Sequence, residues 1–375
     1  MNENHSNMIA GFASEALAYS LEMTRQNLAM VKGFPELAQN GKWLCVDDGF
    51  WTGGHWTGLL WLAYAHTRDR IFERAAREWT ARLAPRQNDS TTHDLGFLFE
   101  LSHLLGLKLT GDVSFHAPLL QAARTLARRF NSKGNFFQAW GPLDGTPRER
   151  GRAIIDTLMN LDLLFWASRE TGECQFANIA TAEARTALRH HVRADWSTAH
   201  VTEFDPDTGE FIKQDTAQGL SATSCWSRGQ AWAVYGFAEC YRETGDAAFL
   251  DAARNLAEYC LRRLPIDRVP YWDYDSPLIP NDVRDSSAAA ILGSGMLLLA
   301  KLESNSRQAA RWRAQALAML ESLWENYSSR STNEPCILLH GTRSKPEGSM
   351  DHGLIYGDYY FVEALTRLTK PEIEL

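Results

Sequence analysis

A short turn phrase recurs along the chain and constrains its fold more than any other feature of the sequence. The phrase is a Thr-Gly-Asp-like turn, then an aromatic residue three positions after the acidic one, then an Ala-rich segment. Its copies begin at Thr67, Thr110, Thr171 and Thr244. Glycine closes a helix in the left-handed conformation, and an acidic residue favours the positive end of the next helix. Each copy therefore predicts a tight hairpin of two helices.

Apolar residues three and four positions apart predict helices over most of the chain. The clearest segments are Ile71–Leu83, Ala117–Phe130, Phe249–Leu264 and Arg307–Tyr327. Alternation typical of strands is confined to Val201–Ile212 and Pro335–Leu339. The pattern indicates an all-α fold.

The turn phrases are irregularly spaced, which argues against a solenoid of equal repeats and for hairpins that carry insertions. Roughly six hairpins fit the length of the chain. We therefore expect a closed (α/α)6 barrel, a toroid with an inner and an outer ring of helices, as a single domain over residues 1–375. An open superhelix of hairpins is the alternative architecture.

The net charge and the cysteine content limit which binding partners and which cellular compartment we expect. The 375 residues are 45% hydrophobic with a formal net charge of −8. Nucleic acids and acidic membranes need a basic face, so neither is expected as a partner. The six cysteines lack metal-ligand spacing, and no phosphate-binding loop is present, so we expect no metal and no cofactor. Met1–Leu21 favours a helix over a signal peptide, and no stretch resembles a membrane span, which together predict a cytoplasmic protein.

Two aspartates and many tryptophans suggest carbohydrate chemistry. Thirteen tryptophans are numerous for this length, and clusters of Trp beside Gly are typical of walls on which sugar rings stack. Asp94 follows the N-cap candidates Thr91 and Thr92, where a carboxylate is commonly structural. Asp156 lies in an apolar segment that we interpret as a helix face. Burial there would raise its pKa, as a general acid requires, and Asn160 one turn on could orient it.

Several blocks of residues resemble the unsaturated glucuronyl hydrolases of glycoside hydrolase family 88, in the order of that family and over nearly the whole chain. These blocks are Trp51–Trp56 with Gly58 and Trp61, His93–Phe97, Gln138–Pro142, Gly151–Asp156 with Asn160, Trp226–Trp232, Tyr271–Asp273, Arg284–Ala288 and Tyr356–Tyr360.

The resemblance implies an (α/α)6 barrel that removes a 4-deoxy-4,5-unsaturated uronic acid from the non-reducing end of lyase-generated, glycosaminoglycan-type oligosaccharides. Asp94 and Asp156 correspond to the two essential acidic residues of the family. The positions that correspond to its substrate contacts are Trp51, His93, His200, Gln218, Trp226, Arg228 and Trp232. We expect the loop Leu339–Lys345 to border the aglycone.

An unsaturated uronide can be hydrolysed through its C4=C5 enol ether rather than at C1. Asp156 is assigned the acid and base roles because its segment is the more apolar. Asp94 is assigned the positioning of ring hydroxyls and the stabilisation of positive charge. We further expect one of Trp226 and Trp232 to pack inward while the other meets sugar, and Arg284 to pair with Asp285 beneath the pocket.

Three other functions stay open at this point. An unsaturated rhamnogalacturonyl hydrolase would apply related chemistry to pectin fragments. A sugar epimerase on a helical barrel would be expected to use paired histidines. A non-catalytic helical-repeat scaffold would present a long concave face, whereas this chain concentrates Gly, Trp and Asp between its hairpins. The oligomeric state is left open.

Overall fold

The computed structural model describes residues 3–373 and Leu375. Within them, helices form two concentric rings. The inner ring contains Gly53–Thr67, residues 95–110, Asp162–Thr171, Ser227–Thr244, Ser286–Leu302 and Ile355–Thr369. The outer ring contains Glu3–Met30, Arg70–Leu83, His116–Ala127, Cys174–His190, Ala247–Arg263 and Ser306–Tyr327.

Hydrophobic patterning explains which helices lie inside. The inner helix Ser286–Leu302 is rich in Ala, Leu and small residues and buries nearly every side chain. The outer helix Arg70–Leu83 buries only one face, made of Phe72, Ala76, Trp79, Thr80 and Leu83. A helix that is apolar all round needs neighbours on every side, whereas an amphipathic helix covers the core with one stripe.

The inner ring is closed. Helix Ser227–Thr244 packs against Ser286–Leu302, which packs against Ile355–Thr369, which in turn packs against Gly53–Thr67. Residues 95–110 and Asp162–Thr171 complete the circuit back to Ser227–Thr244. Residues 95–110 run through a π-helical turn, Glu100–Leu104, between Leu95–Phe99 and Leu105–Thr110. Closure confirms the all-α (α/α)6 barrel and excludes the open superhelix.

The repeated turn phrase forms the predicted hairpins. Gly111, Gly172 and Gly245 each follow a helix with φ of 68°, 75° and 68°, and Arg68 takes the same left-handed place with φ of 55°. The acidic residue that follows begins the next segment. The carboxylates of Asp69, Asp112 and Asp246 each accept the backbone N–H two residues on. Glu173 occupies the equivalent place without such a bond.

Most local predictions from periodicity are confirmed. The four predicted helices coincide with outer-ring helices to within a few residues. Val201–Ile212 contains the strand Val201–Phe204 and the start of Phe211–Asp215. The predicted strand Pro335–Leu339 is wrong, since the N–H groups of Ile337 and Leu338 donate to the buried Asp358 carboxylate instead, each over 2.9 Å. The N-terminal helix is confirmed from Glu3 onward, and Met1 and Asn2 lie outside the described residues.

Among the described residues, three small sheets lie outside the two rings of helices. Phe34–Gln39 pairs with Lys42–Val46 across an Asn40-Gly41 turn, and also with Gly353–Leu354. Asn40 and Gly41 both have positive φ, as a two-residue hairpin turn requires. Phe130–Asn131 pairs with Phe136–Phe137, and Val201–Phe204 lies between Arg152–Ile154 and Phe211–Asp215. The last of these sheets places Asp156, because Arg152–Ile154 ends two residues before it.

Candidate active site

A cavity of about 460 Å³ opens at one end of the barrel, where the inner helices begin. Trp51, Asp94 and Trp226 lie just before or at the first residues of inner helices. The N-terminal ends of these helices give the cavity a positive dipole field, which favours the binding of an anion. The cavity is lined by Asp48, Phe50, Trp51, Arg86, Asp89, Thr91, Thr92, Asp94, Phe97, Trp140, Ile154, Asp156, Ala217, Gln218, Arg228, Arg343 and Glu347.

Asp94 occupies the N-cap position of helix Leu95–Phe99 but does not cap it with its side chain. Its Oδ2 accepts a hydrogen bond of 2.7 Å from the Thr92 hydroxyl, and its Oδ1 lies 3.3 Å from His93 Nε2. The carboxylate is thus held in the cavity by neighbouring polar groups instead of by the helix end. The structural explanation for Asp94, a first-turn carboxylate that stabilises its helix, does not describe this geometry.

Asp156 lies at the inner end of the cavity with 13% of its side chain exposed. Burial raises the pKa of Asp156 to about 7, opposed by the positive charge of Arg228 and supported by the negative charge of Asp94. Its Oδ2 has no hydrogen-bond partner among the described residues. A carboxyl that lines a cavity and still holds its proton near neutral pH is suited to general acid catalysis.

The backbone around Asp156 differs from the helix that we expected. Arg152–Ile154 is a strand paired with Val201–Phe204, and Ile155–Asn160 is a 3-10 turn. Asn160 also does not orient the Asp156 carboxyl. Its amide oxygen accepts the N–H of Phe97 over 2.9 Å, and its amide nitrogen bonds the main-chain carbonyl of Asp156. Gly96 permits this contact, since a Cβ there would stand 2.4 Å from the Cα of Asn160.

His93 connects the two acidic segments. The side chain is fully buried, with Nδ1 2.9 Å from the Thr157 hydroxyl and Nε2 beside Asp94. Desolvation lowers the pKa of His93 despite the nearby Asp94 carboxylate. A neutral imidazole here can donate to Asp94 through Nε2 while Thr157 donates to Nδ1. His93 is therefore bonded to the segment that carries Asp156 and lies beside the Asp94 carboxylate.

His200 is also buried, behind Asp156. Its Nδ1 accepts the N–H groups of Ala217 and Gln218 over 3.2 and 3.1 Å, and its Nε2 lies 3.7 Å from Asp156 Oδ2. Burial lowers the pKa of His200 well below its usual value, and the charges of His191 and Arg228 lower it further. The neutral ring accepts at Nδ1, so its single proton is on Nε2 and faces Asp156.

The three predicted tryptophans take different places. Trp51 is half-buried and lines the cavity, with its ring 4.8 Å from Tyr356. Trp226 and Trp232 are buried behind the wall. The Trp226 ring packs 4.4 Å from His200, and the Trp232 ring 5.2 Å from Phe97. Both rings therefore pack inward, whereas we expected this of only one of them, and contact of the other with sugar stays a prediction.

Arg228 lines the cavity at its inner end and is 1% exposed. It donates to Asp285 over 2.7 Å, and to the carbonyls of Thr342 and Arg343 over 2.6 Å each. These bonds use three of the five N–H groups of a guanidinium, and the other two stay available for a ligand. The expected pair of Arg284 and Asp285 is wrong, since the Arg284 guanidinium pairs with Asp267 over 3.1 Å.

Gln218 connects two loops of the cavity wall. Its side-chain amide donates to the carbonyl of Arg343 over 2.9 Å, while its backbone N–H bonds His200. The loop that we expected to border an aglycone does reach the cavity, through Arg343. The Arg343 side chain is paired with Glu36 at 2.9 Å.

Three aromatic residues of the cavity wall, Phe50, Phe97 and Trp140, were missing from the predicted contacts. Trp140 lines the cavity with its ring 6.3 Å from His200, and its place in the block Gln138–Pro142 was a usable signal. Phe50 lines the mouth and is 43% exposed. A Phe beside Trp51 in the sequence carries no comparable signal.

Among residues 3–373 and Leu375, no group of three or more His, Cys, Asp or Glu side chains is arranged to hold a metal ion. In the same part of the chain, every helix is too short or too polar to cross a membrane.

Comparison with known sequences identifies similar proteins. A family model described as Glycosyl Hydrolase Family 88 matches residues 21–266. The chain is 37% identical over 364 residues to the unsaturated glucuronyl hydrolase of Bacillus sp. (strain GL1), covering 95% of this chain and 96% of that protein. It is 40% identical over 335 residues to the unsaturated chondroitin disaccharide hydrolase of Streptococcus pneumoniae (strain ATCC BAA-255 / R6), covering 87% and 83%.

Solved structures agree with the fold. The crystal structure of unsaturated glucuronyl hydrolase from Bacillus sp. GL1 superposes with a TM-score of 0.90 at 36% identity, covering 96% of this chain and 97% of that one. An Asp-to-Asn variant of unsaturated glucuronyl hydrolase from Streptococcus agalactiae, complexed with dGlcA-GalNAc6S, superposes with a TM-score of 0.82 at 32% identity, covering 96% and 92%.

Proposed function

The chain belongs to glycosyl hydrolase family 88, and we propose that it is a glycosidase that removes a 4,5-unsaturated uronic acid from the non-reducing end of glycosaminoglycan-type disaccharides, with Asp156 as its acid and base. One observation carries the assignment to Asp156. Its carboxyl has a pKa of about 7 and lies, with 13% of the side chain exposed, at the inner end of a cavity shared with Asp94. Such a group holds a proton to give and can take one back.

The reaction begins at the C4=C5 double bond, which is an enol ether. The Asp156 carboxyl gives its proton to C4, and positive charge develops at C5 and the ring oxygen. A water molecule then bonds to C5 while the Asp156 carboxylate takes up its proton. The resulting hemiketal opens to a ketone at C5, and the exposed hemiacetal at C1 breaks down to an aldehyde as the aglycone leaves with a proton. No group attacks C1, in contrast to an ordinary glycosidase.

Asp94 contributes negative charge at the same end of the cavity. A carboxylate there stabilises the positive charge that forms at C5 and accepts hydrogen bonds from ring hydroxyls. His93 and Thr92 hold this carboxylate in place from two sides. Asp94 also raises the pKa of Asp156, so the two aspartates divide the work as neutral acid and anionic stabiliser.

The uronate carboxylate needs positive partners, although the chain as a whole is acidic. Arg228 keeps two N–H groups free at the inner end of the cavity, and a guanidinium forms strong charge-assisted bonds to a carboxylate. The N-terminal ends of the inner helices add a field of the same sign. We assign the carboxylate to Arg228, with Gln218 as a neutral donor beside it and Trp51 as a stacking face.

A panel of unsaturated disaccharides tests the proposed activity. Loss of the ultraviolet absorbance of the conjugated C4=C5 carboxylate should be seen with unsaturated chondroitin or heparin disaccharides. The matching saturated glucuronide is the control and should remain intact, because it lacks the double bond. Preference for the unsaturated rhamnogalacturonan disaccharide would favour the pectin-directed alternative. Cleavage of the saturated control would overturn the hydration mechanism.

Three further parts of the proposal concern the protein as a whole. We propose that residues 1–375 form one catalytic domain, because the inner and outer rings draw on helices from Glu3 to Thr369. We place it in the cytoplasm, because six cysteines are free thiols and four of them are buried. We expect activity without added metal or nucleotide, and full activity after dialysis against a chelator is the corresponding test.

A further inference from the structure

We propose that Phe50 is the platform on which the sugar next to the unsaturated uronic acid stacks. The inference rests on the proposed function and adds to it a residue that selects the aglycone. Phe50 is 43% exposed and lines the mouth of the cavity. The neighbouring Trp51 ring packs against Tyr356 and Phe97 at 4.8 and 5.6 Å. Phe50 thus presents an open aromatic face next to a packed one.

The backbone at Phe50 is strained. Its φ is 45°, and Gly49 before it has a φ of 83°. Glycine adopts this left-handed region without cost, but a bulky residue is an outlier there. Such strain persists only where the surroundings enforce it, and it concentrates at ligand-binding sites. Here it turns a large apolar side chain towards solvent at the cavity mouth, which folding alone does not favour.

Arg86 enforces this conformation. Its guanidinium donates to the carbonyls of Phe50 and Asp48 over 2.9 and 3.1 Å, and it is also bonded to Asp89. The Asp48 carboxylate accepts the N–H of Phe50 over 3.0 Å. The arginine side chain is only 14% exposed. A buried cation and two carboxylates therefore fix the position of one exposed ring, as expected for a binding surface built in advance.

The depth of the cavity indicates that the Phe50 ring contacts the aglycone. Asp94 and Asp156 lie at the inner end, with 14% and 13% of their side chains exposed. The terminal uronic acid must reach these carboxyl groups, so the next sugar occupies the mouth. An aromatic face there packs against the apolar C–H face of a hexose or hexosamine ring.

Two substrates separate this role from a general structural role. One is the unsaturated chondroitin disaccharide, and the other is the methyl glycoside of the same unsaturated uronic acid, which has no second sugar. Phe50→Ala should raise KM for the disaccharide about 3- to 10-fold, the size expected for a lost aromatic contact. It should leave kcat nearly unchanged, and both constants for the methyl glycoside should stay at the wild-type values. Phe50→Tyr should retain wild-type kinetics with both substrates.

Phe211→Ala is the matched control. Phe211 is 40% exposed, but it belongs to strand Phe211–Asp215 and its ring stacks on His190 at 4.6 Å. Its loss should leave both substrates unaffected. Phe50→Gly tests whether a kinetic change comes from misfolding. Glycine adopts a φ of 45° without strain, so this variant should have a melting temperature equal to or above that of the wild type. Equal KM changes with both substrates, or no change with either, would overturn the platform. Failure of the wild type on both substrates would overturn the proposed function as well.

Discussion

His200 directs its only ring proton at Asp156, because the N–H groups of Ala217 and Gln218 occupy its Nδ1 atom. The Nε2 atom and Asp156 Oδ2 are 3.7 Å apart, and neither has a hydrogen-bond partner among the described residues. The two atoms are slightly too far apart for a direct hydrogen bond, and a small movement of the carboxyl would bring them within bonding distance. His200 thus bonds the loop through one nitrogen and faces the proposed acid, Asp156, with the other.

Two substitutions separate these tasks of His200. Asparagine places an acceptor near the Nδ1 position, so His200→Asn should preserve the melting temperature but lower kcat, by about 10- to 100-fold. Glutamine reaches the Nε2 position and leaves the N–H groups of Ala217 and Gln218 unpaired, so His200→Gln should keep more activity and lose stability. Thermal unfolding and steady-state kinetics on both variants check the prediction. The reverse pattern would contradict this division of roles.

Under the proposed mechanism Asp156 acts in its protonated form, and burial raises its pKa to about 7, so activity should fall as the pH rises through about 7. Asp94→Asn removes a negative charge that raises the pKa of Asp156. The alkaline limb of its residual kcat/KM should therefore move to lower pH, in addition to a severe loss of rate. Glu347→Gln removes a carboxylate from the same cavity wall that is not among the largest influences on the pKa of Asp156, and its alkaline limb should move less than that of Asp94→Asn. If the alkaline limb of Asp94→Asn stayed in place, the charge of Asp94 would have no effect on the pKa of Asp156, and the prediction would be wrong.

Arg228→Ala should raise KM by about 10- to 150-fold, the loss expected for one charged contact. It should also destabilise the fold by about 3–5 kcal/mol, because Asp285 is left buried and unpaired. The double variant Arg228→Ala with Asp285→Asn should recover part of the stability, because the amide carries no charge, while KM stays high. Recovery of KM together with stability would assign Arg228 a structural role only.

The stability of Asp156→Asn relative to the wild type should depend on pH. Burial raises the pKa of Asp156 from 3.8 to about 7, so the stabilising effect of its proton is complete below pH 4 and is lost as the pH rises to 7. The amide does not titrate. Denaturant unfolding should show the variant gaining on the wild type by up to about 4 kcal/mol between pH 4 and pH 8. A constant difference over that range would contradict a raised pKa.

Local chemistry made the barrel predictable from the sequence. Gly111, Gly172 and Gly245 each end a helix because glycine readily adopts a positive φ. The acidic residues after Gly111 and Gly245 cap the next segment by accepting a hydrogen bond from the backbone N–H two residues further on. Neither requires a distant partner. The Asn40-Gly41 turn was an equally local signal for the missed hairpin Phe34–Gln39 with Lys42–Val46, and only its short strands concealed it.

Long-range contacts account for the errors. The segment before Asp156 has a helical pattern, yet its pairing with Val201–Phe204 makes it a strand. The sequence neighbours Arg284 and Asp285 do not pair, because each meets a residue distant in the sequence, Asp267 and Arg228 respectively. Phe50 could not be predicted as a site residue, since its exposure depends on an arginine from a different element. The motifs of the candidate site were therefore predictable from the sequence, but the contacts between those motifs were not.

The central claim is that Asp156 delivers and recovers the proton. The most direct measurement compares the wild type and Asp156→Asn on one unsaturated disaccharide, following the absorbance of the C4=C5 bond at pH 6, with circular dichroism confirming that both are folded. The amide is isosteric and cannot donate that proton, so kcat should fall by a factor on the order of 10³ or more. A folded Asp156→Asn protein that consumes the disaccharide at the wild-type rate would contradict the account.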